Sequence, residues 1–311
     1  MAIGIGKPNL LLCFDAFGTL FKPKHTVALQ YAEIARQCGI TNFTDKQVHS
    51  SFKRAFEEES KRNPNYGSGT ALGATRWWHT VIYETFWPIL KRTDQKPPPD
   101  LIPKLMHRFA SKDGYDAEPG LVSALRTLKH QNYHRRYNEI VIGVITNSDD
   151  RVPGILSSFG LNVSPLRYGV PMNEEDAAAA MAKKNYDIDF HCMSYDVGYE
   201  KPDRRIFDAA EHMLAQIIAA RDGMEPGGTE ALAMAQTWRK VYVGDEHIKD
   251  VLGASAAGWD PVLFEPGVTS DDAIPTLNFA VGQTLPQQFK EFPTSKVVSI
   301  QDLVQSLAGW K

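Results

Sequence analysis

Asp15 stands directly after the apolar run Asn9–Phe14 and is followed by Ala16, Phe17, Gly18 and Thr19. A carboxylate at the end of a strand, beside a turn whose backbone N–H groups are free, can attack an electrophile held in an anion cradle. The same residues also fit an Asp that merely caps a turn. Thr146-Asn147-Ser148 ends the run Glu139–Thr146, and its hydroxyls and N–H groups can hold phosphoryl or carboxylate oxygens or start a helix. In Gly198-Tyr199-Glu200-Lys201-Pro202-Asp203, Lys201 precedes a helix read as opened by Pro202, where an ammonium can offset repulsion between Asp15 and an anion. Asp245 and Asp250, in Gly244-Asp245-Glu246-His247-Ile248-Lys249-Asp250, bracket a turn from strand to helix. Asp15 and Asp245 offer hard oxygens suited to Mg²⁺ with room for waters; alternatively, Asp245 and Glu246 are first-turn charges on a helix.

Such side chains need strands to carry them. Apolar runs at Asn9–Phe14, Glu139–Thr146, Cys192–Val197, Lys240–Gly244 and Pro261–Phe264 read as buried parallel strands alternating with helices. Ile206, Phe207, Ala210, Met213, Leu214 and Ile217 share one helical face; Ile248, Val251, Leu252, Ser255 and Ala256 share another, closed by Gly258. The pattern predicts a Rossmann-like, doubly wound α/β sheet, with ligands at the strand ends. Residues 22–115 break the rhythm with four helical faces and no strand signal. Thr44 and Asp100 fit as N-caps, and Trp77, Trp78, Val81, Ile82 and Phe86 form one of the faces. We therefore expect an α/β core of residues 1–21 and 116–311, interrupted by an all-helical insertion of residues 22–115. Asn173–Asn185 and Arg221–Gln236 read as surface insertions.

Composition sets the limits. The 311 residues carry 34 Lys and Arg against 37 Asp and Glu, a net charge of −3, which argues against nucleic acid or anionic membrane as the main partner. Three widely spaced cysteines, Cys13, Cys38 and Cys192, argue for a reducing compartment, and no stretch is apolar enough to span a bilayer. The expectation is a soluble cytoplasmic protein, in which the acceptor-like Asn42-Phe43-Thr44 stays unglycosylated. His130 and His134 have the i, i+4 spacing of metal ligands but no third partner, and read as a solvated helix end. Gly67, Gly69 and Gly73 suit a tightly turned or mobile loop before the Trp77-Trp78-His79 cluster.

Taken in order, DAFGT, ITNSD, GYEKPD and GDEHIKD resemble the four motifs of the haloacid dehalogenase-like hydrolase superfamily, with a eukaryotic branch as the nearest likeness. The likeness runs from Asn9 to Phe264, and the helical insertion is similar to that family's small cap. It implies Asp15 as the nucleophile, positioned by Thr19, and Lys201 as the residue steadying both anions. Phe17, Gly18, Thr146 and Asn147 would surround the transferring group. Asp15, the backbone carbonyl of Phe17, Asp245 and Asp250 would hold Mg²⁺, and the substrate would be a small phosphorylated or anionic molecule.

One position departs from that pattern. Phosphatases of the superfamily carry a second Asp two residues after the nucleophile as general acid and base, and here that position is Phe17. A phenyl ring transfers no proton, and losing such a group costs about 10²–10⁴-fold in rate. Haloacid dehalogenases carry an aromatic residue there, yet lack the Gly-Asp pair that this chain keeps as Gly244-Asp245. Three functions stay open: a Mg²⁺-dependent phosphohydrolase or phosphotransferase, with His79 or Glu84 as a substitute acid; a dehalogenase-type hydrolase attacking carbon, with Arg36, Arg54 or Arg76 holding a substrate carboxylate; and a non-catalytic binding protein.

Overall fold

The computed structural model describes residues 7–308 except 71, 93, 131–136, 174, 176, 178–179, 181–184, 226 and 268–294. β1 (Leu10–Phe14) is buried along its whole length, as a strand covered on both faces must be. It lies between β4 (Ile140–Thr146) and β6 (Arg239–Gly244), parallel to both. β5 (Phe190–Met193), β7 (Asp260–Phe264) and β8 (Ser295–Val297) complete a six-stranded parallel sheet in the order β5-β4-β1-β6-β7-β8. The chain steps outward through β4 and β5, then returns to the other side of β1 with β6. That reversal opens a crevice at the carboxyl ends of β1 and β6, where open α/β sheets bind ligands. The doubly wound α/β expectation holds.

Residues between β1 and β4 build the second layer over those ends. β2 (Phe21–Pro23) and β3 (Tyr115–Ala117) pair antiparallel, with Phe21 opposite Ala117, where no strand was expected. Three residues each are too few to leave an alternation in the sequence. Between them lie α1 (Val27–Gln37), α2 (Asp45–Arg62), α3 (Ala74–Arg92) and α4 (Leu101–Arg108). Thr44 caps α2 as expected, in a reciprocal capping box with Gln47, whereas Asp100 precedes α4 without a side-chain cap bond. The expected α3 face is buried, from Trp77 to Phe86.

Beyond β3 run α5 (Leu121–His130), α6 (Val152–Ser158), the single turn α7 (Ser194–Val197), α8 (Arg204–Asp222), α9 (Thr229–Gln236), α10 (Gly253–Ala256) and α11 (Ile300–Ala308). Four expectations need correction. The third strand ends at Met193, because polar Ser194 and Asp196 leave the sheet as α7, which Gly198 closes at φ 83°. Pro202 does not open α8; Asp203 does, its carboxylate accepting from the Arg205 amide. Arg221–Gln236 is a surface insertion only in part, because α9 buries Ala231 and Ala235 against the sheet-side cluster of α8. His247–Leu252 coils as a π-helix, so the expected apolar face is misphased. Val251, Ala254 and Ala257 turn inward, while Ile248 and Leu252 are 66% and 51% exposed.

His134, the side chain of His130 and most of Asn173–Asn185 lie outside the described residues. Among the described residues no helix is long and apolar enough to cross a membrane, and the three cysteines are free.

Candidate active site

Asp15, Thr146 and Asp245 follow the last residues of β1, β4 and β6 or end them, and the sheet register brings them to one level. The Asp15 amide donates to the Val243 carbonyl at 2.8 Å, holding the loop against β6. Lys201 arrives from beyond β5 and is anchored by Asn147, whose Nδ2 donates to the Lys201 carbonyl (3.0 Å) and whose Oδ1 accepts from the Lys201 amide (2.6 Å). Asn147 therefore positions Lys201 with its side chain.

The buried Lys201 ammonium lies 2.9 Å from Asp15 Oδ1 and 2.7 Å from Asp250 Oδ1, and donates to the Tyr242 hydroxyl at 2.7 Å. That hydroxyl in turn donates to the Ile145 carbonyl at 2.8 Å. Burial pulls the Lys201 pKa down, but the two carboxylates outweigh it and the net displacement is upward, so the group stays charged. Burial raises the Asp15 carboxyl, and Asp250 adds to this against the opposing pull of Lys201. Asp250 is held by a second bond, from the Glu246 amide to Oδ2 at 2.8 Å. Taking Lys201 away leaves two buried carboxylates facing each other. We expect Lys201→Met to lower the unfolding free energy by about 3–5 kcal/mol, read from urea denaturation in metal-free buffer.

Asp245 is the solvent-facing member of the cluster, but its carboxyl end turns inward. Thr19 Oγ1 donates to Oδ1 at 3.3 Å. A Cβ on Gly18 would stand 2.2 Å from Oδ2, and one on Gly244 would stand 2.3 Å from the Asp250 carboxyl carbon. Gly18 also has a φ of 86°, so glycine is needed there twice over. The Asp245 carboxyl is pushed up to about 6, by desolvation first and then by Asp15 and Asp250. Oxygens of Asp15, Asp245 and Asp250 lie within 4.8 Å of one another. Three carboxylates face one ammonium, leaving two negative charges uncompensated when all ionise. Hard oxygens and a deficit of two charges fit a small divalent cation.

A cavity of about 370 Å³ opens from this cluster toward the helical layer, lined by Asp15, Phe17, Thr146, Asn147, Ser148 and Lys201 on the sheet side. Phe17 packs edge-on against Phe21 and Tyr115, with centroids 4.7 and 5.7 Å apart. Opposite stand Tyr31, Tyr66, Trp78, Phe109 and Tyr115. Arg151 also lines the cavity: it pairs in a fork with buried Asp149 (2.8 and 2.9 Å), and its guanidinium lies 4.1 Å from the Trp78 ring centroid. Trp78 Nε1 donates to the same Asp149 at 2.5 Å, tying α3 to the end of β4. Around it, Asn65 Nδ2 donates to the Ser194 carbonyl (2.7 Å), Ser68 Oγ to the Tyr195 carbonyl (2.5 Å) and Tyr66 OH to the Asn147 carbonyl (3.3 Å). Asn65 and Tyr66 take φ of 48° and 56°, a strained left-handed pair of the kind that clusters at binding sites.

The expected set Asp15, Phe17, Gly18, Thr19, Thr146, Asn147, Lys201, Asp245 and Asp250 thus comes together in one place. The helical-layer candidates do not. His79, Arg54 and Arg76 are exposed, Arg36 pairs with Asp45 on the surface, and neither these nor Glu84 lines the cavity. Beside Lys201 and Lys249, the cavity is lined by a further cation, Arg151, whose only sequence cue is its place in the Asp-Asp-Arg tail of the second motif.

The profile of the haloacid dehalogenase-like hydrolases matches residues 10–258. Hydrolase C7D4.05 of Schizosaccharomyces pombe is 30% identical over 251 residues, covering 80% of this chain and 88% of that one. Haloacid dehalogenase-like hydrolase domain-containing protein 3 of Bos taurus is 26% identical over 264 residues, 85% of each chain. The L-2-haloacid dehalogenase PA0810 shares the fold at a TM-score of 0.52 and 13% identity, over 98% of this chain and 100% of that structure. With the four motif sets joined at the ends of β1, β4 and β6, this chain belongs to the haloacid dehalogenase-like hydrolases.

Proposed function

We propose that this protein is a Mg²⁺-dependent phosphohydrolase or phosphotransferase for a small phosphorylated molecule, working through a covalent intermediate on Asp15. The observation that carries the reading is the cluster of Asp15, Asp245 and Asp250 around a single Lys201, with two negative charges in excess. A Mg²⁺ held by Asp15, Asp245, Asp250 and the Phe17 carbonyl would supply the neutralisation that a carboxylate needs before it approaches a phosphate dianion. An Asp15 oxygen attacks phosphorus, and the bond from phosphorus to the leaving oxygen breaks with its electron pair going to that oxygen. Water then attacks the phosphorus of the aspartyl phosphate, the bond from phosphorus to the Asp15 oxygen breaks with its electron pair returning to the carboxylate, and the released phosphate carries away both of the water's protons. Thr146 and the Asn147 amide hold the phosphoryl oxygens, and Lys201 remains charged throughout. Residues 22–115 act as a cap that closes the cavity over residues 1–21 and 116–311, with the β2–β3 ribbon as its stem.

The Asp cluster carries a direct test. Millimolar Mg²⁺ raises the melting temperature of wild type at pH 8 and raises it far less at pH 5, because Asp245, pushed up to about 6, takes up a proton that competes with the cation. Asp245→Asn removes the pH 8 shift, as read by differential scanning calorimetry. An equal shift in the variant contradicts the metal site. Phe17 at the acid position favours a second reading, attack at carbon with loss of halide. Halide release from a 2-haloacid in EDTA, with no turnover of any phosphate in Mg²⁺, would select it.

A further inference from the structure

We propose that the phosphorylated substrate is an aryl phosphate, a single phenol-like ring bearing a hydrogen-bond acceptor remote from the phosphate. The proposal rests on the phosphohydrolase reading above and names its leaving group.

Two independent features meet in the same cavity. The first is that no imidazole, and no carboxyl other than Asp15 and the ion-paired Glu246, lines the cavity among the described residues, so no group that titrates near neutral pH stands ready to protonate the leaving oxygen. Phe17 occupies the acid position, Arg151 is forked to Asp149, and Glu246 at the rim is paired with Lys249 at 2.8 Å. The phenols of Tyr31, Tyr66 and Tyr115 are all pushed upward by burial, Tyr115 to about 12. An alkoxide leaves poorly without a proton, whereas a phenolate leaves with the electron pair of the broken bond unaided.

The second feature is the shape and lining of the cavity. Its volume of about 370 Å³ falls in the range of pockets for ring-sized ligands and exceeds what a two- or three-carbon phosphate fills. Its walls are aromatic on both sides, with Phe17 below and Tyr66, Trp78 and Phe109 above, and such walls favour a flat ring through edge and face contacts. Tyr31 and Tyr115 line it while 1% and 4% exposed, and neither hydroxyl makes a hydrogen bond among the described residues. Both hydroxyls therefore border the cavity with no protein partner, where each can donate to an acceptor on a bound ligand. Arg151 lines the same cavity, and its positive charge acts on both phenols.

The test is a substrate series with the full chain in Mg²⁺: 4-nitrophenyl phosphate, 4-carboxyphenyl phosphate, phenyl phosphate, glycerol 3-phosphate and acetyl phosphate. The expected result is a kcat/KM at least about 10²-fold higher for the aryl esters than for glycerol 3-phosphate, falling steeply as the leaving phenol becomes more basic. Tyr31→Phe with Tyr115→Phe should raise KM for 4-carboxyphenyl phosphate about tenfold while leaving kcat within about twofold. If that double variant does not fold, Tyr115→Phe alone should raise the same KM severalfold. Equal kcat/KM for glycerol 3-phosphate and the aryl esters, with acetyl phosphate also turned over, overturns the aryl assignment and leaves the phosphohydrolase reading standing. An unchanged KM in the tyrosine variants overturns the role of the two hydroxyls. No turnover of any of the five overturns the phosphohydrolase reading itself.

Discussion

Asp15→Asn abolishes turnover, by about 10⁴-fold or more in kcat. The substitution keeps the shape of the side chain and one oxygen for Lys201, so the fold and the Asp250–Lys201–Tyr242 network are expected to survive. It removes the negative charge that makes the oxygen a nucleophile toward phosphorus. Stability is expected to hold or rise in metal-free buffer, because the Asp15 carboxylate is held against a burial penalty and against Asp250. An inactive variant as stable as wild type separates a chemical role from a structural one. Initial rates with an activated aryl phosphate, together with urea denaturation, measure both.

Phe17→Asp is expected to raise activity, which is unusual for a substitution at a cavity wall. The new carboxyl stands two residues from the nucleophile, where it can protonate a leaving alkoxide and deprotonate water. The gain expected for glycerol 3-phosphate is about 10²–10⁴-fold, and that for 4-nitrophenyl phosphate is small because its leaving group needs no proton. The same change removes the Phe17 ring from its contacts with Phe21 and Tyr115, so it lowers stability by about 1–3 kcal/mol. A uniform loss with both substrates would mean that Phe17 is held for its packing and that the surrounding machinery cannot use an acid at this point.

Much of this arrangement is legible along the chain because the sheet is covered on both faces. Continuous apolar runs ending in Asp15, Thr146 and Gly244 can be read without a partner, and parallel strands put their ends on one side. Thr44 with Gln47 is equally local. What stays hidden is non-local or changes the period. The π-helix at His247–Leu252 rotates the pattern, so Ile248 and Leu252 read as buried and are not. The β2–β3 ribbon closes contacts across almost a hundred residues through two three-residue strands. Arg151 reads as the start of an ordinary helix. Only the tertiary packing of Trp78 and Asp149 turns it into a cavity wall. Tyr31 and Trp78 share helical faces with core residues and do belong to the core, yet one edge of each also borders the cavity. Periodicity finds the face of a helix but not which part of that face meets a void.

Asp15 is expected to take up the phosphoryl group during turnover. Acid quenching of wild type during turnover of 4-nitrophenyl phosphate in Mg²⁺, followed by peptide mass spectrometry, should find one phosphoryl group on the peptide bearing Asp15. Hydroxylamine should remove it, and Asp15→Asn should carry none. A wild type that turns the ester over with no acid-stable, hydroxylamine-sensitive phosphoryl group on that peptide would mean that Asp15 is not the nucleophile.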